Sequence, residues 1–302
     1  MLDRLRGIAR DAYARLLERE IGGAPTHVAV IQDGNRRYAR ERGRDYGHGH
    51  RAGAETTEAM LEWCGDLGIE ELTLYAFSTE NFDRPADERR ELFDLIESKL
   101  RAFADREEVH ERGVRIRAIG RIERLPDRVR EAVDYAEART AAHDRLRLNV
   151  ALAYGGRAQL LDAARDVAAA VERGDLDAEA VDVAAVEARL PDPTRDVDLI
   201  IRTGGDERTS NFLPWHANGN EAAVFFCAPY WPEFRRIDFL RAVRTYESRE
   251  ASWRRTRTRR AMALLGTLGS GGGLRRRLRA EVPDLEETVP SEDAEEVEPA
   301  AD

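Results

Sequence analysis

Short runs of β-branched and apolar residues, separated by segments long enough to be helices, constrain this 302-residue chain more than any other feature. His27 to Ile31, Leu72 to Phe77, Val114 to Ile119, Leu146 to Ala151, Asp198 to Arg202 and Ala222 to Phe226 read as strands. Helix-length segments lie between them: Arg51 to Leu67, Asp87 to Glu111, Pro126 to Ala142 and Gly156 to Arg173. A strand that is apolar along its whole length has both faces covered, and helical crossovers let parallel strands pair. The pattern therefore predicts an α/β fold, a mostly parallel six-stranded central sheet with helices on both faces. With 42% hydrophobic residues the chain can bury a substantial core, and one domain with ragged ends is expected.

The ends differ from the middle. Leu5, Ile8, Ala12, Leu16 and Leu17 fall on or near one stripe of Leu2 to Ile21, which predicts an N-terminal amphipathic helix over 1–22 that packs on the domain or touches a surface. A catalytic-sized domain over 23–260 follows. The remainder, 261–302, has a glycine-rich break at Gly269 to Gly273, a basic run at Arg275 to Arg279, and an acidic tail expected to be disordered. From Glu281 onward the chain holds ten acids and no base, so of 58 acids and 48 bases the body keeps 48 of each and is formally neutral despite the net charge of -10. Lys99 is the only lysine. The arginine usage suits bidentate phosphate contacts and is also what a GC-rich genome produces. There is no run of about 18 apolar residues and no secretory pattern, so a cytoplasmic protein is expected. Cys64 and Cys227 form no CxxC and read as buried small hydrophobes.

In a parallel sheet, ligands gather where the strands end. Four strands end in polar clusters. After His27 to Ile31 comes Gln32-Asp33-Gly34-Asn35-Arg36-Arg37-Tyr38. Here a glycine permits close backbone approach, a helix start offers N–H groups to an anion, and two arginines add charge. Asp33 is out of place in a pure anion site and makes sense if Mg²⁺ bridges it to phosphate. Ser78-Thr79-Glu80-Asn81-Phe82-Asp83-Arg84-Pro85 follows the second strand, and Arg202-Thr203-Gly204-Gly205-Asp206-Glu207-Arg208-Thr209-Ser210-Asn211-Phe212 follows the fifth. The latter offers Arg202, Arg208 and Ser210 to a diphosphate. Tyr154-Gly155-Gly156-Arg157 is the least specific. Each cluster alone also reads as an ordinary polar turn. GxxxxGK[ST] is absent, which argues against ATP-driven phosphoryl transfer, and no Asp-Asp pair supplies the DDxxD of trans-type prenyltransferases.

Together these residues resemble the cis-prenyltransferases, typified by undecaprenyl diphosphate synthase. The matching pieces are HVAVIQDGNRRYA (His27 to Ala39), GHRAGA (Gly49 to Ala54), LTLYAFSTENFDRP (Leu72 to Pro85), LNVALAYGGR (Leu148 to Arg157), DLIIRTGGDERTSNFLPW (Asp198 to Trp215), Glu221 and Tyr230 to Phe234. The resemblance implies an enzyme that adds isopentenyl diphosphate to an allylic diphosphate, farnesyl or geranylgeranyl, with cis geometry. It also implies an apolar tunnel walled by Arg51 to Leu67 and Asp87 to Glu111. It implies Mg²⁺ held by Asp33, with Glu221 a second metal-linked carboxylate. Gly34, Asn35, Arg36, Arg37, Tyr38, Tyr46 and His50 would surround the allylic diphosphate, and Asn81 would sit near the departing proton. Ser78, Thr79, Glu80, Phe82 and Arg84 would line the reacting region, while Arg202, Arg208, Thr209 and Ser210 would bind isopentenyl diphosphate. A homodimer is implied, and no nucleic-acid partner. The choice between the two primers stays open; the arginine-rich, acid-tailed composition hints at an archaeal halophile, in which a geranylgeranyl primer would be plausible.

Two positions depart from the family. Tyr46 stands where many members have Arg, with Arg44 near enough to compensate, and Glu207 stands where His is frequent. His48 and His50, two apart in a glycine-rich stretch, read as a loop rather than a metal pair. Arg249 to Arg260 either rests on an anionic membrane surface or is a solvated helix face. Two rival readings remain: a non-catalytic subunit of a two-chain prenyltransferase, and a nucleotide-sugar transferase using Asp196-Val197-Asp198 as a metal-binding DxD.

Overall fold

The computed structural model describes residues 13–190, 195–218 and 222–267, with side chains described as far as Ser252 except that of Asn218. Two compact units divide the chain at Glu247, and the sheet lies in the first. In chain order the elements are the helical residues 13–20 (α1), β1 (His27–Ile31), α2 (Asn35–Glu41), α3 (Tyr46–Asp66), β2 (Glu71–Ser78), α4 (Ala86–Ala104), α5 (Glu107–Glu111), β3 (Val114–Ile119), α6 (Asp127–Thr140), β4 (Leu146–Tyr154), α7 (Gly156–Glu172), α8 (Val183–Glu187), β5 (Leu199–Arg202), α9 (Pro214–Asn218), β6 (Ala223–Phe226) and α10 (Arg236–Thr267). All six expected strands form, in the order β3-β4-β2-β1-β5-β6, and every pairing is parallel.

Alternation along the strands explains why the runs are apolar throughout. Val28 and Val30 of β1 pack into the larger core with Met60, Leu61 and Cys64 of α3 and Leu92 and Leu100 of α4. Ala29 and Ile31 point the other way, toward Ile200, Phe212, Leu213 and Ala217. Each large aliphatic side chain buried this way contributes about 1.5–3 kcal/mol. One edge of the sheet is covered: α6 lies along β3, where Thr140 Oγ1 accepts from Ile116 N at 3.0 Å and Glu137 Oε1 from Ala118 N at 2.7 Å. That occupies donors an open edge strand would expose.

Several boundaries differ from expectation for local reasons. The Asp87 to Glu111 helix is two helices. Arg106 adopts an extended conformation, and the chain turns there so that Val109 of α5 enters the core. The glycine-rich stretch holding His48 and His50 is not a loop but the first turn of α3, started by the Asp45 carboxylate, which accepts from His48 N at 2.7 Å. Cys64 is fully buried, but Cys227 is only half-buried. In α1, Leu17 packs on Ile237 and Leu240 as a packed helix requires, whereas Leu16 is 51% exposed. Leu5, Ile8, Ala12, the glycine break, the basic run and the acidic tail lie outside the described residues. Among the described residues no helix is long and apolar enough to cross a membrane.

Candidate active site

Strands β1 and β5 are neighbours, yet the chain leaves β1 toward β2 and β5 toward β6. The crevice between their carboxyl ends is thus a topological switch point, where ligands bind in open α/β sheets. Asp33 lies two residues past β1 and Arg202 ends β5. Arg202 Nη2 donates to Asp33 Oδ2 at 2.7 Å and to Asp206 Oδ2 at 3.3 Å, while Arg37 Nη2 stands 3.1 Å from Asp33 Oδ1. Burial alone would raise the pKa of Asp33. The hydrogen bond and charge of Arg202, with Arg37 and the Gly34 N–H, outweigh it and hold the carboxyl below its usual value. Backbone bonds fix the same corner, since Thr203 Oγ1 donates to Asp33 O at 2.7 Å and Trp231 N to the same oxygen at 2.9 Å. Gly34 is required here: its φ is +100°, and a Cβ would lie 2.5 Å from the Tyr230 ring.

Around this corner opens a polar basin of about 820 Å³ lined by Asp33, Gly34, Asn35, Arg36, Arg37, Arg40, Arg44, Tyr46, Asp206 and Arg208, among others. An apolar cavity of about 210 Å³ runs from it between α3 and α4 over β2, β3 and β4. Gln32, Asn35, His50 and Arg84 line both, so they form the doorway. Two doorway atoms, Asn35 Oδ1 and His50 Nε2, are buried without a protein partner. Burial, then the charges of Arg84 and Arg36, push the His50 pKa down to about 4, so the ring is neutral near pH 7. Arg84 is aimed by Glu88, whose carboxylate is 3% exposed and receives Arg84 Nη1 at 2.6 Å and Arg36 Nε at 3.4 Å.

The other expected residues fall into two groups. Asn81 lines the apolar cavity and also closes its own turn, its Oδ1 accepting from Ser78 N at 3.0 Å while the Ser78 side chain accepts from Asn81 N. Phe82 packs edge-on against Phe77, with Arg124 4.4 Å from its ring centre. Tyr46 lines the basin, its hydroxyl donating to Asp87 at 3.2 Å, with Arg44 on the same wall. Tyr38, Ser78, Thr79, Glu80, Phe82, Arg202, Thr209 and Ser210 are not on the basin wall. Tyr38 stacks on His48 and carries Arg42 on its ring. Glu80 accepts from Asn211 Nδ2 at 3.4 Å, and Asn211 Oδ1 accepts from Arg157 N at 2.7 Å, so the fourth cluster stitches loops together. Arg202 is 3% exposed. Its Nη1 donates to Arg208 O at 2.8 Å and to Ser210 Oγ, so the described geometry spends most of its donors on protein. Ser210, Asn211 and Leu213 all have positive φ, a concentration of backbone strain in the loop after β5. Glu207 is exposed.

Sequence reasoning passed over Asp206, Glu88 and Trp231. Asp206 shares an Arg202 nitrogen with Asp33; Glu88 is four residues from Arg84 at a helix start, where an acid ordinarily reads as a dipole partner. Trp231 is 1% exposed, lines the apolar cavity and donates to Gly53 O at 2.7 Å. The DxD reading fails on geometry. Asp198 Oδ2 accepts from Thr26 N at 2.7 Å and His27 N at 2.9 Å, which places it at the amino ends of the strands, away from the basin.

Mg²⁺ would find no ready-made cage, since among the described residues no group of three or more His, Cys, Asp or Glu is placed to hold a metal. An ionised Asp33 beside Asp206, facing an arginine-lined basin, nevertheless fits an ion that takes one or two carboxylates and completes its shell with phosphate oxygens. Glu221 lies outside the described residues.

Comparison with known proteins agrees with this architecture. A family model described as putative undecaprenyl diphosphate synthase matches residues 31–254. The chain is 65% identical over 297 residues to the tritrans,polycis-undecaprenyl-diphosphate synthase (geranylgeranyl-diphosphate specific) of Halobacterium salinarum, covering 97% of this chain and 98% of that one. A protein of the same name from Methanocaldococcus jannaschii is 49% identical over 245 residues, covering 79% and 86%. Among solved structures, lavandulyl diphosphate synthase from Lavandula x intermedia, in complex with dimethylallyl diphosphate, superposes with a TM-score of 0.69 at 34% identity, covering 74% of this chain and 95% of that one. A probable undecaprenyl diphosphate synthase from Campylobacter jejuni gives 0.61 at 32% identity, covering 74% and 96%. An open parallel sheet, an arginine-lined basin at its switch point and matches along most of the chain lead to one conclusion: the chain belongs to the undecaprenyl diphosphate synthase family and is a cis-type polyprenyl diphosphate synthase.

Proposed function

We propose that this synthase extends geranylgeranyl diphosphate with isopentenyl diphosphate, with Mg²⁺, to a long polyprenyl diphosphate destined to become a glycosyl carrier lipid. The observation that carries the reading is the doorway. A charged basin sized for diphosphates opens, through Gln32, Asn35, His50 and Arg84, into an apolar cavity suited to a hydrocarbon tail. The geranylgeranyl primer is favoured because the relatives at 65% identity, from Halobacterium salinarum and Haloarcula marismortui, are named as specific for it.

In this reading Arg36, Arg37 and Arg84 donate charge-assisted hydrogen bonds to the allylic diphosphate, and Arg208 to the isopentenyl diphosphate. Neutral His50 offers Nε2 to a diphosphate oxygen at the doorway, and Asn35 keeps the basin and tunnel in register. Arg202 positions Asp33, Asp206 and Ser210 rather than meeting substrate alone. Asn81 is held by Ser78 on the tunnel wall, beside the carbon that loses its proton as the cis double bond forms. Asp33, with Asp206 beside it, would hold Mg²⁺; when bound, the ion supplies Lewis-acid neutralisation of charge on the departing diphosphate. Pairing of two copies, and contact of Arg249 to Arg260 with an anionic membrane, complete the proposal, to be read by sedimentation and vesicle flotation.

The test is incorporation of labelled isopentenyl diphosphate by the purified full chain with geranylgeranyl or farnesyl diphosphate, with Mg²⁺ or with a chelator. Mg²⁺-dependent elongation that prefers the longer primer is expected. No incorporation with either primer overturns the proposal and favours a non-catalytic subunit.

A further inference from the structure

The chain uses arginine for 47 of its 48 Lys and Arg residues, and its one lysine stands in the wall of the apolar cavity. Lys99, on α4, reaches across the seam to α3, its Nζ 3.1 Å from Glu58 Oε1. The other oxygen of the same carboxylate, Oε2, lies 3.0 Å from Arg106 Nη2, in the turn that separates α4 from α5. Glu58 lies eight residues beyond the doorway His50 along α3, about 12 Å at 1.5 Å per residue. The three side chains are 21%, 38% and 42% exposed for Glu58, Lys99 and Arg106; the stems of Glu58 and Lys99 line the cavity, and the three heads meet at the solvent face.

An ion cluster is an unexpected lining for a hydrocarbon site. At about 210 Å³ the cavity is also smaller than the roughly 300–1,000 Å³ typical of pockets for drug-sized ligands. A lengthening prenyl chain therefore has to push α3 and α4 apart; Tyr46 and Asp87 tie them at the basin end, and Glu58 ties them deeper along the tunnel. A second groove lies on the outside of the same seam; it shares His50, Leu92 and Leu95 with the cavity, so the wall between chain and solvent is thin there.

We propose that Glu58, clamped by Lys99 and Arg106, is a latch across the α3–α4 seam that limits product length by resisting lateral opening of the tunnel. The inference rests on the reading that the apolar cavity receives the growing chain. It assigns specificity to charge pairing in the wall rather than to the bulk of a side chain at the tunnel end. Releasing the latch lets the chain leave between the helices and accept further units.

Product lengths from wild type, Lys99→Met, Lys99→Arg, Glu58→Gln and Arg106→Gln, separated by chromatography under one set of conditions, test it. Lys99→Met, Glu58→Gln and Arg106→Gln are expected to lengthen the main product by at least one isoprene unit, and Lys99→Arg to keep the wild-type pattern. Arg106 does not line the cavity, so Arg106→Gln is expected to leave the rate of the first condensation unchanged. Because Lys99 is the only lysine, acylation of the wild-type enzyme with an amine reagent neutralises it and the amino terminus alone. The treated wild type should reproduce the Lys99→Met pattern, and treated Lys99→Arg should not. Wild-type lengths from all three neutralising variants overturn the latch, as does a Lys99→Arg shift equal to that of Lys99→Met. A wild type that makes no polyprenyl product overturns the function as well.

Discussion

At the carboxyl ends of the strands, the side chains of Asp33, Arg37 and Asp206 are 29%, 33% and 32% exposed; at the amino ends, His27, Glu71, Thr73 and Asn149 are at most 1% exposed. Both clusters join charged or polar groups across neighbouring strands. The amino-end cluster is a relay: Asn149 Nδ2 donates to Glu71 Oε1 at 2.5 Å and to Thr73 Oγ1 at 3.0 Å. Thr73 Oγ1 meets His27 Nε2 at 2.8 Å, and His27 Nδ1 donates to Arg195 O at 2.7 Å. A carbonyl can only accept, so Nδ1 carries the proton and a neutral ring completes the chain. None of these four residues lines the basin or the tunnel. At the carboxyl end, by contrast, arginine donors and the orphaned Asn35 Oδ1 and His50 Nε2 belong to residues lining open volume, whereas the orphaned Asn149 Oδ1 of the amino-end cluster lies on neither cavity. Charge in a core is thus compatible with a purely structural role, and capacity left unused beside a cavity is what marks a site.

The contrast is sharpest under substitution. Asp33→Ala is expected to lower kcat by at least about a hundredfold, the scale of losing one preorganised electrostatic group, while far-UV circular dichroism stays that of wild type. Near-normal turnover would remove Asp33 from the chemistry. Glu71→Ala should do the reverse. It removes one of the two acceptors of the Asn149 amide and the carboxylate 3.5 Å from Arg147, costing about 1–3 kcal/mol of stability, a fall in Tm of several degrees, with little change in turnover by the folded enzyme. Lost activity at unchanged Tm would place the amino-end cluster in the mechanism.

Titration acts on both ends in one direction. Burial lowers the pKa of His27 despite the opposing charge of Glu71, and burial with Arg84 and Arg36 lowers that of His50 to about 4. The unfolded chain therefore binds protons that the folded chain refuses. Stability is full above about pH 6.5 and falls as pH drops from there toward the folded-state values. Urea denaturation at pH 7.5 and pH 5 should show the loss, and His50→Gln should remove the doorway's share of it. The smallest effect is expected at the rim. Tyr46→Phe loses an exposed bond to Asp87 and should leave kcat and KM close to wild type, because Arg44 lines the same wall. A marked rise in KM for the allylic substrate would show that Tyr46 replaces the arginine frequent at that position.

Much of this was legible before any fold was known. The six strands are apolar on both faces, so their composition alone required helices on both sides, and the polar clusters had to fall where those strands end. Asp33, Arg37, Asn35 and His50 were singled out this way and by resemblance, and all four line the basin. Glu88 and Asp206 were missed because an acid near a helix start or in a glycine turn looks like ordinary capping. Arg202, expected as a substrate ligand, is 3% exposed and bonds Asp33, Asp206, Arg208 and Ser210, a set of partners that only the surroundings of its donors reveal.

Local sequence determined what local physics governs: which segments are strands, that they pair in parallel, and which loops carry charge. The tertiary structure alone decided what depends on distance. It placed Asp206 beside Asp33 on one guanidinium, put Asp198 at the opposite end of the sheet, and set the chain's only lysine against Glu58 on the facing helix. Strand character follows from neighbours a few residues away, whereas a site is made by residues as far apart as Asp33 and Trp231 that the fold brings within hydrogen-bonding reach.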